Sequence, residues 1–113
     1  MSDLRSAPRI PAVWRAAIVR NGSRTPIYGR TQEVSLGGFG LIFDAPLAVR
    51  EMIEVYLEMP VNGFKAKTVL AFQCDVIYSV LTAGGVGFRI GVRIVSPQGD
   101  ALNQLGQYIQ SRS

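Results

Sequence analysis

The stretch from Val86 to Val95 alternates with a period of two, and this restricts the fold more than any other feature of the chain. Val86, Phe88, Ile90, Val92 and Ile94 point one way, and Gly87, Arg89, Gly91 and Arg93 point the other. That spacing belongs to a β-strand with one buried face. The same pattern runs from Met52 to Met59, where Ile53, Val55, Leu57 and Met59 oppose Glu54 and Glu58. It runs again from Ala66 to Val80, where strict alternation sends Leu70, Phe72, Cys74, Val76, Tyr78 and Val80 to one face and Lys67, Gln73, Asp75 and Ser79 to the other. The tetrapeptide "TAGG", residues 82 to 85, reads as the turn joining the last two strands into a long hairpin. Shorter strands are expected at 13 to 20, 27 to 34 and 37 to 43, the first two separated by the turn-rich "NGSRTP". Six antiparallel strands in 113 residues predict a closed barrel, because closure removes exposed edges.

The period changes at the C-terminus. Ala101, Leu102, Leu105, Tyr108 and Ile109 make a helical stripe, with Ser96 read as N-cap and Pro97 as the first helical residue. The fold class is therefore mainly β, a six-stranded antiparallel β-barrel with a C-terminal α-helix. Residues 1 to 12, which hold Pro8 and Pro11, read as a flexible arm, and residues 13 to 113 as the barrel with its helix.

Composition excludes several function classes. There is no histidine and a single cysteine, Cys74, so the commonest general base and the usual metal-ligand sets are missing. The eight carboxylates are scattered. No enzyme, metal or cofactor is expected. No apolar run approaches the roughly 20 residues that cross a bilayer, and no apolar core follows the first arginines as in a secretory signal. No membrane insertion and a cytoplasmic location are expected, with Cys74 an inert core thiol.

Charge is informative by placement. Of twelve cations ten are Arg, and six of these, Arg5, Arg9, Arg15, Arg20, Arg24 and Arg30, fall in the first 30 residues against one acid, Asp3. The guanidinium fork grips phosphate bidentately, pairs with the O6 and N7 edge of guanine and stacks on bases. An anionic partner, with a lean towards a nucleotide, is the expectation. The octapeptide "EVSLGGFG", residues 33 to 40, lies between two predicted strands. Its Gly37 and Gly38 let backbone approach a ligand closely, and Ser35 offers a hydroxyl beside backbone N–H groups. Tyr78, by its pattern alone, reads as core.

The pair Arg5 and Arg9, R-x-x-x-R, followed after a first strand by "EVSLGG", resembles the signature of the PilZ family, R-x-x-x-R and then [D/N]-x-S-x-x-G. "CDVIYS" and "GVRIV" are similar to that family's late strands, so the resemblance runs from Arg5 to about Ile109. It implies a six-stranded barrel and a receptor for the bacterial second messenger cyclic di-GMP. It also implies that Arg5 and Arg9 contact guanine edges and phosphates, that Glu33 faces guanine, that Ser35 meets a phosphate and that Gly38 keeps the turn open. Tyr78 falls near an aromatic that lies beside the ligand in some members. Glu33 departs from the family's Asp or Asn, and its extra methylene shifts the carboxylate by over about 1 Å, enough to misplace a hydrogen bond.

Three functions follow as alternatives. The first is a cyclic di-GMP receptor that signals to an unidentified downstream protein in motility, exopolysaccharide, biofilm or virulence control. The second is a PilZ-like interaction domain that binds no nucleotide, as in type IV pilus assembly. The third, a basic barrel for single-stranded nucleic acid, is disfavoured because Phe72, Tyr78 and Phe88 fall on apolar stripes instead of forming a stacking face.

Overall fold

Alternation builds the strands, and the strands close on themselves. The structure, a computed structural model, describes residues 8–63 and 65–112. β1 (Ile10–Pro11), β2 (Arg15–Arg20), β3 (Ile27–Val34), β4 (Gly38–Phe43), β5 (Met52–Val61), β6 (Ala66–Leu81) and β7 (Phe88–Pro97) precede one helix, α1 (Ala101–Arg112). Every pairing is antiparallel. The order β3-β2-β5-β6-β7-β4, with β4 returning to β3, is a closed six-stranded barrel. Two-residue β1 extends the line of β2 along the same edge of β3.

The inward residues form one core. Ile18, Leu41, Val55, Leu57, Phe72, Val76 and Ile90 are completely inaccessible to solvent, and burying a side chain of this size contributes about 1.5–3 kcal/mol. Cys74 is among them, and burial, helped by the neighbouring Asp75, pushes its thiol up to about 12. It stays protonated and unreactive. Trp14 meets Tyr108 edge-on, ring centroids 5.0 Å apart, and α1 buries Ala101, Leu105 and Ile109.

Two local expectations need correction. The helix does not start at Ser96-Pro97. β7 continues to Pro97, whose Cα partner is Phe72, because pairing with the long β6 outlasts the local capping signal. The chain then turns at Gly99, φ 57°, and the Gln104 N–H donates to the Asp100 carbonyl at 3.0 Å, which makes Asp100 the N-cap. In β6, Tyr78 and Val80 do not share the core face of Val76. The register shifts between Val76 and Tyr78, and this bulge at Ile77 turns every later side chain to the opposite face. Ser79 now points inward, accepting a hydrogen bond from the Leu47 N–H at 3.1 Å, while Tyr78 and Val80 are 36% and 47% exposed.

Candidate ligand-binding site

The bulge brings Tyr78 onto the same outer line as Glu33. Across four strands the Cα partners run Glu33, Gly40, Gly91, Tyr78. The adjacent line, Val34, Phe39, Val92, Val76, is wholly buried. Glu33 and Tyr78 therefore stand on the outer face with two glycines between them. A Cβ at Gly91 would lie 2.2 Å from the Tyr78 ring, and one at Gly40 would lie 3.1 Å from Glu33 Cγ. Each glycine makes room for its neighbour's side chain to lie down on the sheet.

Arg9 closes the other side. Its Nη1 donates to Glu33 Oε2 at 3.2 Å. The root of the arm is pinned below it: Ile10 and Pro11 pair with Val34 and Glu33, and the buried Thr31 hydroxyl donates to the Ala12 carbonyl and accepts from the Trp14 N–H. Arg9, Glu33, Gly38, Gly40, Ile77, Tyr78 and Gly91 line a cleft of about 110 Å³, with the edges of Phe39 and Val92. That is well below the roughly 300–1,000 Å³ that encloses a drug-sized ligand, so the cleft is too shallow to enclose one.

Ser35 lies behind the cleft and does not line it. Its hydroxyl donates to the Gly38 carbonyl at 3.0 Å and accepts from the N–H groups of Gly37 and Gly38, both at 3.1 Å. The side chain is thus spent on holding the loop between β3 and β4, an ST-type turn. Gly38 is needed for packing as well, since a Cβ there would lie 2.1 Å from the Val92 carbonyl oxygen. The structure brings Arg9, Glu33, Gly38 and Tyr78 together and places Ser35 beneath them. Arg5 lies outside the described residues.

Sequence reasoning missed an adjoining charge cluster. Arg93, the Cα partner of Gly38, donates to Asp75 Oδ2 at 2.7 Å, and Arg50 Nη1 approaches the same oxygen at 3.4 Å. Asp75 sits on an outward position yet is only 2% exposed, and its Oδ1 has no hydrogen-bond partner among the described residues. The outward positions of Asp75 and Arg93 were visible in the alternation, but their pairing depends on the β6–β7 register. Among the described residues no three His, Cys, Asp or Glu side chains cluster to hold a metal, and no helix is long and apolar enough to cross a membrane.

Comparison with known proteins agrees with this architecture. The family model described as "PilZ domain" matches residues 3–111. The inhibitor of motility MotI (DgrA) of Bacillus subtilis superposes with a TM-score of 0.81 at 14% identity, over 98% of this chain and 52% of that one. The PilZ domain of Escherichia coli YcgR, solved with c-di-GMP, superposes with a TM-score of 0.69 at 18% identity, over 96% of this chain and 91% of that one. A YcgR complex with c-di-GMP gives 0.74 at 21% identity, over 96% and 45%. The chain thus spans about half the length of MotI, and at such identities the likeness concerns the fold. No curated protein matches by sequence. The family match over nearly the whole chain and the closed barrel lead to one statement: the chain belongs to the PilZ domain family.

Proposed function

We propose that this domain is a receptor for cyclic di-GMP, a regulatory adaptor and not an enzyme, which acts in the cytoplasm and passes the signal to a protein partner. The observation that carries the reading is the convergence of Arg9 and Glu33, 3.2 Å apart, with Tyr78 on one open cleft. The ligand offers two phosphates and two guanines. Arg9, released from Glu33, grips a phosphate or the O6 and N7 edge of guanine, and the freed carboxylate accepts from guanine N1–H and N2–H. The half-exposed Tyr78 ring gives a face for stacking. The shallow cleft suits a ligand that a second cation also grips, the role proposed for Arg5. The YcgR structures, whose ligand is c-di-GMP, support the choice of ligand by fold.

Immobilising chain on binding costs about 1–2 kcal/mol per residue, and a micromolar Kd is only about −8 kcal/mol net. The gross contacts must exceed both, and charge-assisted arginine contacts are the source with that capacity. Calorimetric titration of the protein with cyclic di-GMP, beside Arg9→Ala and with GTP as control, tests the reading. Selective binding that the substitution abolishes is the expected result. No binding at about 100 μM ligand would overturn it.

The Arg9–Glu33 pair also favours a second reading. Each neutralises the other without a ligand, so the face can serve as a fixed protein-interaction surface that binds no nucleotide. Under that reading the titration gives no heat and a protein partner remains bound regardless of the messenger.

A further inference from the structure

A second cationic feature lies one step along the strands from the cleft. Arg30, Ile42 and Arg89 are successive Cα partners across β3, β4 and β7. All three occupy the outer face, alternating with the inward Thr31, Leu41 and Ile90. Two strand spacings put the arginine Cα atoms about 10 Å apart. Ile42, between them, is 8% exposed but stands outside the barrel's core cluster.

These two arginines differ from the others nearby. Arg9, Arg20, Arg50 and Arg93 each meet a carboxylate. Arg30 and Arg89 meet none among the described residues. The ladder also sets Arg30 directly opposite Arg15, and like charges facing each other across strands are destabilising. Arg15 turns to the Tyr28 ring, 5.9 Å from its centroid, which leaves Arg30 without compensation. On the far side, Arg89 pairs with Val80, which is 47% exposed. The face is thus cationic at two fixed points, closed between them by the buried Ile42, apolar beside Arg89 at the exposed Val80, and unneutralised.

We infer that Arg30 and Arg89, across Ile42, are the docking seat for an acidic amphipathic helix of a partner protein. In a helix, residues seven apart lie on one face about 10.5 Å from each other along the axis, which matches the spacing of the two arginines. Carboxylates at those two positions meet the guanidinium groups, and an apolar residue one turn beyond the second carboxylate rests on the exposed Val80, the next partner along the same line. Complementary charge gives such a contact its register and its on-rate. The seat names the chemistry of the partner and does not depend on the nucleotide reading.

The test uses a labelled alanine-rich 18-residue peptide carrying two Glu seven positions apart, read by fluorescence anisotropy against the full chain. A peptide with Gln in their place should bind at least ten-fold more weakly. The double variant Arg30→Gln with Arg89→Gln should lose at least ten-fold for the two-Glu peptide. Arg24→Gln with Lys65→Gln, which removes the same charge from exposed turns, should lose under two-fold. Thermal melting of both variants should match the parent. Equal losses in the two double variants would overturn the proposal, because only the general field would be acting. So would binding to phosphatidylglycerol vesicles that the first variant alone abolishes while peptide binding persists. Calorimetry with cyclic di-GMP separates the two sites: unchanged affinity in the Arg30, Arg89 variant is expected, and a loss there would overturn the proposal by assigning the pair to the nucleotide site.

Discussion

The ring of Tyr78 fills the space that a side chain at position 91 would need, with a Cβ at Gly91 only 2.2 Å from it. Strand glycines covered by an aromatic from the neighbouring strand recover packing that glycine alone forfeits. Here the arrangement also lets the half-exposed Tyr78 ring lie in the cleft, so Gly91 shapes the surface proposed to bind the ligand.

Gly91→Ala should therefore separate stability from binding. The atoms in the way are those at the far end of a half-exposed side chain, which can swing out at a cost below about 1 kcal/mol. Denaturant unfolding should show that small change, while affinity for cyclic di-GMP falls several-fold. In a Tyr78→Ala background the Gly91 substitution should add nothing further, since the double-mutant cycle removes the shared contact. Additive effects on binding would refute the coupling.

Arg9 and Glu33 form an exposed pair, 50% and 39% accessible, and such pairs contribute about 0–1 kcal/mol to stability. Arg9→Ala should leave unfolding almost unchanged yet weaken dinucleotide binding by ten-fold or more, because charge-assisted contacts to the ligand vanish. Glu33→Asp, which shortens the reach while keeping the charge, should retain measurable binding. Comparing chemical denaturation with calorimetry for each variant decides the matter; a large stability loss in Arg9→Ala would show the pair to be structural.

Ser35 and Gly38 should behave in the opposite way. Ser35→Ala removes the acceptor of the Gly37 and Gly38 N–H groups, at half-buried and buried positions, while the Gly38 carbonyl keeps the Ser35 N–H, and leaving a buried group unpaired costs about 1–3 kcal/mol. Gly38→Ala drives a methyl against the Val92 carbonyl, which is backbone and cannot swing aside. Both variants should unfold at lower denaturant without any ligand present. If either kept full stability and lost only binding, the loop would be a direct ligand contact instead of a scaffold.

The barrel was legible because burial enforces alternation on every strand long enough to show it, and β5 and β7 follow their patterns closely. Tyr78 was misread because a bulge adds one residue to a strand without leaving a sequence mark: Ile77 is as apolar as its neighbours. The start of α1 was misread for the converse reason, a good local signal at Ser96-Pro97 overruled by pairing with a sixteen-residue β6. The motif resemblance singled out Arg9 and Glu33, whose side chains meet at 3.2 Å. The ion pair of Arg93 with Asp75, the contact of Gly38 with Val92 and the paired glycines beneath Glu33 and Tyr78 all depend on register between distant strands, which single-chain periodicity does not encode.

Far from the cleft, Arg20 grips Glu51 with two hydrogen bonds, Nε to Oε2 at 2.7 Å and Nη2 to Oε1 at 2.9 Å, and the Ala48 N–H donates to Oε1 at 3.2 Å. The Arg20 hydrogen bonds hold the Glu51 carboxyl below its ordinary value of 4.5, against the opposing effect of burial. The folded state therefore binds the Glu51 proton less readily than the unfolded chain does. The resulting stabilisation is fully present above about pH 4.5 and is lost as pH falls through the lower, folded value. At pH 7 Glu51→Gln should destabilise by about 1 kcal/mol, the upper end for a bidentate surface pair. Urea unfolding of both proteins from pH 7 to pH 3 should show the gap between them closing below about pH 4.5. A constant gap across that range would mean that Glu51 acts through the packing of the loop after β4 and not through its charge.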